Sequence, residues 1–161
     1  NNNIKLGIKL VRGAYLEQER EYSHNRGLQS PVYEIKSDTD HSYNQALRFC
    51  IDHLDTISLC SGTHNEESTY LLAMLMDEKK LSNDDPRIFS AQLYGMSNHI
   101  SFNLIEKSYN VVKYLPYGPL NQVIPYLLRR ANENKSIQGQ SSRELTLITR
   151  ELKRRETFST D

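Results

Sequence analysis

The fold of this chain is indicated by a short stretch near its start, IKLGIKLV at residues 4–11, followed at once by the turn RGAY at 12–15. An apolar, β-branched run of this length that closes at a glycine-containing turn predicts a β-strand. Three similar runs follow: TISLC at 56–60, RIFSAQL at 87–93 and NVVKYL at 110–115. Because each of them also ends before a turn that contains glycine, we expect four strands.

Helical patterns fill the intervals between and after these strands. Apolar residues recur at helical spacing over residues 41–54, 67–80, 99–109, 121–134 and 142–156. We expect Asp38 or Asp40 to cap the first of these helices, and Pro125 to lie in or near the first turn of the fourth, where a missing N–H has little effect. The polar stretch 17–40 predicts an insertion at the mouth of the sheet or a ragged helix.

Strands that alternate with helices predict an α/β fold with a parallel sheet. Both a doubly wound sheet and a TIM-type barrel fit this pattern. A complete (βα)8 barrel needs eight units in roughly 250 residues. Four units in 161 residues would be half of a barrel, and one additional helix follows them at the C-terminal end.

Composition excludes several classes of protein. The net charge is zero and the isoelectric point is near 7.1, which disfavours a general binder of nucleic acid or of anionic membranes. Two cysteines and five histidines show no disulfide framework and no metal-ligand spacing, so we expect no metal. The chain starts at Asn1, without Met and without a targeting segment, and we expect it to begin inside a longer protein.

Residue types suited to ligand binding follow the predicted strands. These segments lie at 12–15, 63–65, 92–96 and 114–118. In parallel α/β folds the carboxyl ends of the strands share the edge where ligands bind. Any one of these segments alone is equally well interpreted as an ordinary βα turn, but four of them at one edge favour a binding site.

An arginine pair provides a second indication. Arg129 and Arg130 follow apolar residues in a predicted helix, and each guanidinium can bind a carboxylate through two hydrogen bonds. Glu133 is spaced to orient either of them. From spacing alone, a solvated charged face is the favoured interpretation.

Five motifs together resemble the proline dehydrogenase family. They are KLVRGAY at 9–15, THN at 63–65, QLYGM at 92–96, YLPYGP at 114–119 and YLLRRANEN at 126–134. The resemblance is strongest to the eukaryotic, mitochondrial branch. It implies an FAD-dependent (βα)8 barrel that oxidises L-proline to 1-pyrroline-5-carboxylate and passes electrons to ubiquinone, peripheral to the inner membrane. Residues 1–161 would supply strands five to eight, and no oligomeric state is implied.

The same resemblance assigns roles to individual residues. Those that would bind FAD are Lys9, Val11, Gly13, Ala14, Tyr15, Thr63, His64, Asn65 and Gln92. Those that would bind proline are Leu93, Tyr114, Arg129, Arg130 and Glu133, with Tyr114 and the two arginines also named as catalytic. Leu93 would pack on the proline ring and Tyr114 would close over it.

Two alternatives stay open beside this interpretation. Hydroxyproline dehydrogenases of the family typically carry a smaller serine at the position of Tyr114, so the tyrosine favours proline as the substrate. A non-catalytic fragment that binds a partner through its open sheet edges is the other alternative. The family's active-site lysine and aspartate come from strands outside this sequence, and an open half-sheet exposes two unpaired edges. We therefore expect the isolated chain to be unstable or inactive.

Overall fold

The computed structural model of the protein describes residues 4–13, 15–136 and 140–158, and the side chains of residues 4–13, 15–130 and 145–155. In these ranges strands and helices alternate along the chain, as the sequence predicts. Their order is β1 (Leu6–Val11), α1 (Leu16–Arg26), α2 (Lys36–Asp52), β2 (Ile57–Gly62), α3 (Glu66–Glu78), β3 (Ile88–Leu93), α4 (Asn98–Glu106), β4 (Val111–Tyr114), α5 (Leu120–Ser136) and α6 (Gln140–Phe158). The chain forms two compact units, Asn1–Tyr114 and Leu115–Asp161.

The strands of the first unit form one parallel sheet. Each strand pairs with the next strand along the chain, in the order β1-β2-β3-β4. A doubly wound sheet reverses its direction of growth at a switch point. The described strands contain no such reversal. A sheet that grows in one direction is typical of the wall of a (βα) barrel, so the strand order favours the barrel over the doubly wound sheet.

Side chains alternate between the two faces of this sheet. The face that packs under helices, which we call the covered face, carries Leu6, Ile8, Leu10, Ile57, Leu59, Ser61, Ile88, Ser90, Gln92, Val111 and Lys113. The opposite face, which we call the open face, carries Gly7, Lys9, Val11, Ser58, Cys60, Gly62, Phe89, Ala91, Leu93, Val112 and Tyr114. Every strand therefore contributes to both faces.

The hydrophobic core lies between the covered face and helices α2 and α3. Leu47 of α2, Leu59 of β2 and Met76 of α3 meet there, and each is at most 1% exposed. Full burial of one such side chain contributes roughly 1.5–3 kcal/mol to folding. These contacts hold the two helices on one side of the sheet.

Two helices occupy the polar stretch between β1 and β2. α1 has polar residues around its circumference, which explains why its sequence shows no apolar stripe, and it ends at Gly27 with a φ of 63°. α2 begins at Lys36, earlier than predicted. The prediction that Asp38 or Asp40 caps it is therefore wrong, because Ile35 occupies the N-cap position. Asp38 lies instead in the first turn, where its charge suits the helix dipole.

Helices α5 and α6 make up most of the described part of the second unit. Pro125, predicted in or near the first turn, lies inside α5 and just past its first turn, because the helix already begins at Leu120. A proline at this point removes the hydrogen bond to the carbonyl four residues earlier. In α6 the predicted apolar stripe of Leu145, Ile148 and Leu152 is more than half exposed. None of the helices in the described ranges is long and apolar enough to cross a membrane.

Candidate active site

The carboxyl ends of the four strands lie at one edge of the sheet. Val11, Gly62, Ala91 and Val112 form a row across all four strands. The turns after β1, β2 and β3 begin at or just beyond this row, and Tyr114 ends β4 at the same edge. The prediction that these segments share one edge is confirmed. We call this region the carboxyl edge.

The turn after β1 has an unusual backbone. Gly13 has a φ of 70° and Tyr15 has a φ of 58°, both in the left-handed region. This conformation is readily adopted by glycine and costs energy in tyrosine, so the surrounding structure must hold it. The Tyr15 side chain is 72% exposed and thus accessible to a ligand. Ala14, a predicted FAD contact between them, lies outside the described residues.

The turn after β2 is organised by its own side chains. Thr63 is buried, and its Oγ1 accepts a hydrogen bond from the Asn65 N–H at 3.1 Å. The Asn65 Oδ1 in turn accepts from the Ser68 N–H at 2.8 Å and so caps α3. The side chains of Thr63 and Asn65 are therefore fixed by local hydrogen bonds, and both lie at the carboxyl edge.

His64 connects the turns after β2 and β3. Its Nδ1 lies 2.8 Å from the Ser97 Oγ, and its Nε2 accepts from the Leu93 N–H at 3.4 Å. The imidazole thus prolongs the hydrogen bonding between β2 and β3 beyond the end of β2. Within the described ranges, no group of three or more His, Cys, Asp or Glu side chains could hold a metal ion.

Two neighbouring residues of β3 point to opposite faces of the sheet. Leu93 lies on the open face and is 7% exposed. Gln92 lies on the covered face, where its Oε1 accepts from the Ser101 Oγ at 3.0 Å and its Nε2 is 3.5 Å from the Thr63 carbonyl oxygen. Gln92 thus ties α4 to the end of β2, and its role as an FAD contact stays a prediction. Leu93 lies on the same face as the other predicted proline contact of the sheet, Tyr114.

Lys9 and Tyr114 meet across the open face, although they lie on the first and last strands. The Lys9 Nζ is 5.0 Å from the centroid of the Tyr114 ring. The strand pairing places Lys9 of β1 level with Phe89 of β3. Tyr114 of β4 is level with Leu93, which lies four residues farther along β3. In a flat sheet, three strand spacings and four residues would separate the two Cα atoms by roughly 19 Å. Two extended side chains cannot bridge that distance, so the sheet curves towards its open face, as a barrel wall does.

The arginine pair lies in the second unit, on α5. Arg129 is exposed and Arg130 is partly buried, with its Cζ 5.5 Å from the centroid of the Tyr126 ring. Adjacent helix residues diverge by about 100°, so the two guanidinium groups leave α5 in different directions. Glu133 belongs to α5, but its side chain lies outside the described residues. The carboxylate-binding role of these three residues stays a prediction.

Comparison with known proteins decides the family. The sequence model described as proline dehydrogenase matches residues 1–143. The chain belongs to the proline dehydrogenase family. It is 40% identical over 158 residues to proline dehydrogenase 1, mitochondrial, of Dictyostelium discoideum. It is 38% identical over 156 residues to the hydroxyproline dehydrogenase of Bos taurus.

The chain is much shorter than these members of the proline dehydrogenase family. The alignment with the Dictyostelium protein covers 95% of the chain and 28% of that protein. For the bovine protein the shares are 94% and 34%. Relatives named for proline and for hydroxyproline thus match the chain at similar identity. The chain spans about a third or less of the length of either relative.

A solved structure agrees with the fold. The chain superposes on proline utilization A from Bdellovibrio bacteriovorus with a TM-score of 0.75 and 26% identity, over 82% of the chain and 14% of that protein. The proline dehydrogenase domain of such proteins is a TIM-type barrel. The predicted α/β fold of that type is confirmed, in agreement with the unidirectional strand order and the curved sheet.

The open face carries residues that would suit the flavin that the proline dehydrogenase family implies. A Cβ placed on Gly62 would lie 2.9 Å from the Val11 Cγ1 and 3.2 Å from the Leu10 carbonyl oxygen, so only glycine allows β1 to pack this closely against β2. The Val11 side chain and the Lys9 cation thereby lie side by side on the open face. A flat ring system with a polar rim matches an apolar side chain beside a cation. The residues present fit FAD, and Lys9, Val11 and the turns after β1 and β2 would be its contacts.

Arg12 is a residue of the site for which sequence analysis proposed no role. Its guanidinium pairs with Asp40 of α2 and is only 16% exposed. Burial opposes ionisation of Asp40, but hydrogen bonds from Lys36 and Arg12 hold the pKa of its carboxyl below the ordinary value. The position of Arg12 directly after β1 was visible in the sequence, whereas its partners lie in helices that are distant along the chain.

Proposed function

We propose that this chain forms the C-terminal half, strands five to eight, of an FAD-dependent proline dehydrogenase. The complete enzyme, with both halves of the barrel, oxidises L-proline to 1-pyrroline-5-carboxylate, the first step of proline degradation to glutamate. Its electrons pass to a quinone. The observation that carries the proposal is the placement of Lys9, Leu93 and Tyr114 on the curved open face.

The substrate carboxylate is bound by the arginines of α5. Arg129 and Arg130 each present a planar fork of N–H donors that matches both oxygens of a carboxylate. Glu133 lies at i+4 and i+3 from them and orients one guanidinium. Two positive charges also favour the anionic carboxylate over a neutral analogue. The proline ring is thereby held in one orientation.

The proline ring packs against apolar walls of the sheet. Leu93 provides a buried aliphatic surface, and Tyr114 provides a ring that is 44% exposed and so accessible to substrate. Lys9 holds the Tyr114 ring from the other side of the open face through a cation–π contact. The tyrosine occupies the space that a ring hydroxyl would need, which favours proline over hydroxyproline.

The reaction removes a hydride and a proton from proline. When bound, FAD supplies the two-electron acceptor for the hydride that leaves the carbon beside the ring nitrogen. The nitrogen loses its proton to solvent or a base, and the C–N single bond becomes C=N. The residues of this chain contribute by positioning: the arginines fix the carboxylate, and Leu93 and Tyr114 fix the ring.

The location of the enzyme follows from its relatives. The Dictyostelium protein and its counterparts from Arabidopsis thaliana and Caenorhabditis elegans are named as mitochondrial. We infer a mitochondrial enzyme on the matrix side of the inner membrane, associated peripherally with the membrane that contains its acceptor, ubiquinone.

The carboxylate clamp is tested by removing each guanidinium. In the complete enzyme, Arg129→Met or Arg130→Met is expected to raise the KM for proline about ten- to a hundredfold, because a charged hydrogen-bond donor is lost. Steady-state reduction of a quinone analogue at varied proline concentration measures this. Arg150→Met, which removes an exposed arginine of α6, is the matched control and should leave KM unchanged. Unchanged KM values in both clamp variants would contradict the role.

The reaction itself is tested by flavin bleaching. The complete enzyme is loaded with FAD, made anaerobic and mixed with L-proline or hydroxyproline while the visible flavin band is recorded. Bleaching by proline and not by hydroxyproline supports the proposal. Preferential bleaching by hydroxyproline would assign the second substrate. A complete protein that binds no FAD would favour a non-catalytic, partner-binding fragment.

A further inference from the structure

Arg12 makes three different contacts from the carboxyl edge. Its Nη1 pairs with Asp40 of α2, and its Nη2 donates to the Ser68 Oγ in the first turn of α3 at 2.5 Å. Its Cζ lies 4.0 Å from the centroid of the Tyr43 ring of α2, the position of a stacked cation. A guanidinium is suited to this combination because it is planar and carries five donors in a fixed geometry.

Each partner of Arg12 is itself tied to the neighbouring turn or strand. The Ser68 Oγ donates onward to the Asn44 Oδ1 at 2.7 Å, and the Ser68 N–H is capped by Asn65. The Tyr43 hydroxyl lies 2.9 Å from the Ser61 Oγ near the end of β2. The guanidinium therefore lies between the turn after β1 and the turn after β2, and contacts the elements that position both.

The turn after β1 needs such an anchor. Arg12 directly precedes Gly13 and is close in sequence to Tyr15, whose left-handed backbone conformation costs energy unless the surroundings maintain it. Arg12 extends towards the helices, while its neighbour Val11 lies on the open face. The side chain can therefore hold the turn from behind without occupying the space of a ligand.

We propose that Arg12 is a positioning residue for FAD. Its guanidinium fixes the turn after β1 against the first turn of α3, so that the segments at 11–15 and 63–65 bind the cofactor together. The inference rests on the proposed function, because it concerns the affinity for FAD. Arg12 acts through Ser68, Asp40 and Tyr43, and not by contact with the proline.

A second arginine–aspartate pair supplies the matched control. Arg87 donates to both carboxylate oxygens of Asp85, at 2.9 and 2.6 Å, and lies 3.3 Å from the Leu54 carbonyl oxygen. This pair precedes β3 and so lies at the amino edge of the sheet, away from the turns that would hold FAD. Removal of its charge should affect folding without affecting a ligand at the carboxyl edge.

The experiment compares Arg12→Gln, Arg12→Lys and Arg87→Gln in the complete enzyme. FAD is titrated into each apoprotein and its Kd is read from flavin fluorescence; thermal midpoints and the KM for proline at saturating FAD are measured in parallel. Arg12→Gln is expected to weaken FAD binding about tenfold or more while KM changes less than about twofold. Arg12→Lys should recover part of the affinity, since it keeps the charge beside Asp40 but loses the stacking on Tyr43. Arg87→Gln should lower the midpoint and leave the Kd unchanged.

Several outcomes would overturn the inference. An Arg12→Gln enzyme with the wild-type Kd would do so, and so would equal losses of FAD affinity in Arg12→Gln and Arg87→Gln. If Arg12→Gln does not fold, Arg12→Lys decides, and an unchanged Kd in that variant rejects the role. If the wild-type complete enzyme binds FAD and the variants give these results, only the role of Arg12 is refuted. A wild-type enzyme that binds no FAD refutes the proposed function as well.

Discussion

The two faces of the sheet differ sharply, although the same four strands form both. On the covered face, Leu59 and Ile88 are 1% and 3% exposed beneath the helices. On the open face, Val11, Phe89 and Tyr114 are 46%, 37% and 44% exposed. Ala91 and Leu93 of the open face are buried as well, but Val11, Phe89 and Tyr114 leave apolar surface on that face that is only partly covered.

This difference separates stability from binding. Burial on the covered face supplies the free energy that folds the first unit. Apolar side chains that are exposed, as on the open face, are typical of a surface that binds another molecule or another part of the same protein. The open face also contains the Lys9–Tyr114 contact, a cation beside an aromatic ring that suits a ligand. We therefore expect substitutions on the two faces to have different consequences.

The largest effect is expected on the covered face. Leu59→Ala should lower the free energy of unfolding of the complete enzyme by about 2–5 kcal/mol, because it leaves a cavity in a packed core. Urea denaturation followed by circular dichroism measures the loss. Ser58→Ala, on the adjacent exposed residue of the open face, is the control and should be nearly neutral. Equal losses in both variants would remove the distinction between the faces.

A smaller effect is expected on the open face, and on binding rather than folding. Gly62→Ala places a methyl group 2.9 Å from the Val11 Cγ1, so Val11, a proposed FAD contact, must shift on the open face. Overpacking of this kind costs about 1–3 kcal/mol, and we expect FAD to bind about tenfold more weakly. Gly7→Ala is the control on the same face, since its Cβ would meet no atom within 4 Å. A Gly62→Ala enzyme with unaltered FAD affinity would contradict the role of Val11 in binding the cofactor.

The smallest effect is expected at the amino edge, below both faces. Hydrogen bonds from Arg87 lower the pKa of Asp85 below its ordinary value of 3.8, despite burial. A depressed carboxyl pKa stabilises the fold above the ordinary value, and this stability is lost as the pH falls through the folded pKa. Asp85→Asn should thus cost about 1 kcal/mol at pH 7, a modest amount because Arg87 is 41% exposed and water screens the pair.

The control for this prediction is the pH dependence itself. Unfolding of the wild-type and Asp85→Asn enzymes is compared at pH 7 and at pH values below 3.8, where the difference should shrink. FAD affinity at pH 7 should be the same in both. A difference in stability that grows on acidification would mean that Arg87 does not hold the carboxylate ionised.

Elements with a regular apolar pattern were predictable from the sequence. All four strands lie within or next to the predicted runs, and helices α3 and α4 begin within one residue of their predicted starts. For the polar stretch 17–40 the sequence leaves an insertion and a ragged helix open, because a helix without an apolar stripe has no periodic signal; the structure has helix α1 at Leu16–Arg26. The start of α2 was misplaced, since its first turn is stabilised by contacts such as Lys36 with Asp40 rather than by a capping side chain.

The site was predictable to the extent that parallel topology dictates it. Turns that follow parallel strands must meet at one edge, so the sequence alone is sufficient to place residues 12–15 and 63–65 together. Successive side chains of a strand point to opposite faces of the sheet. Once Leu93 is assigned to the open face, the side chain of Gln92 must therefore point to the covered face. The partners of Arg12 could not be predicted, because they depend on how α2 and α3 pack against the sheet.

The sequence by itself determined the order of strands and helices, the parallel sheet, the family and the residues that gather at the carboxyl edge. These properties follow from local periodicity, turn residues and short motifs. Only the tertiary structure decided the direction of strand order, the curvature that brings Lys9 to Tyr114, the close packing of β1 against Gly62 and the contacts of Arg12. These properties arise from packing between segments that are distant along the chain, and no local pattern encodes the distances between them.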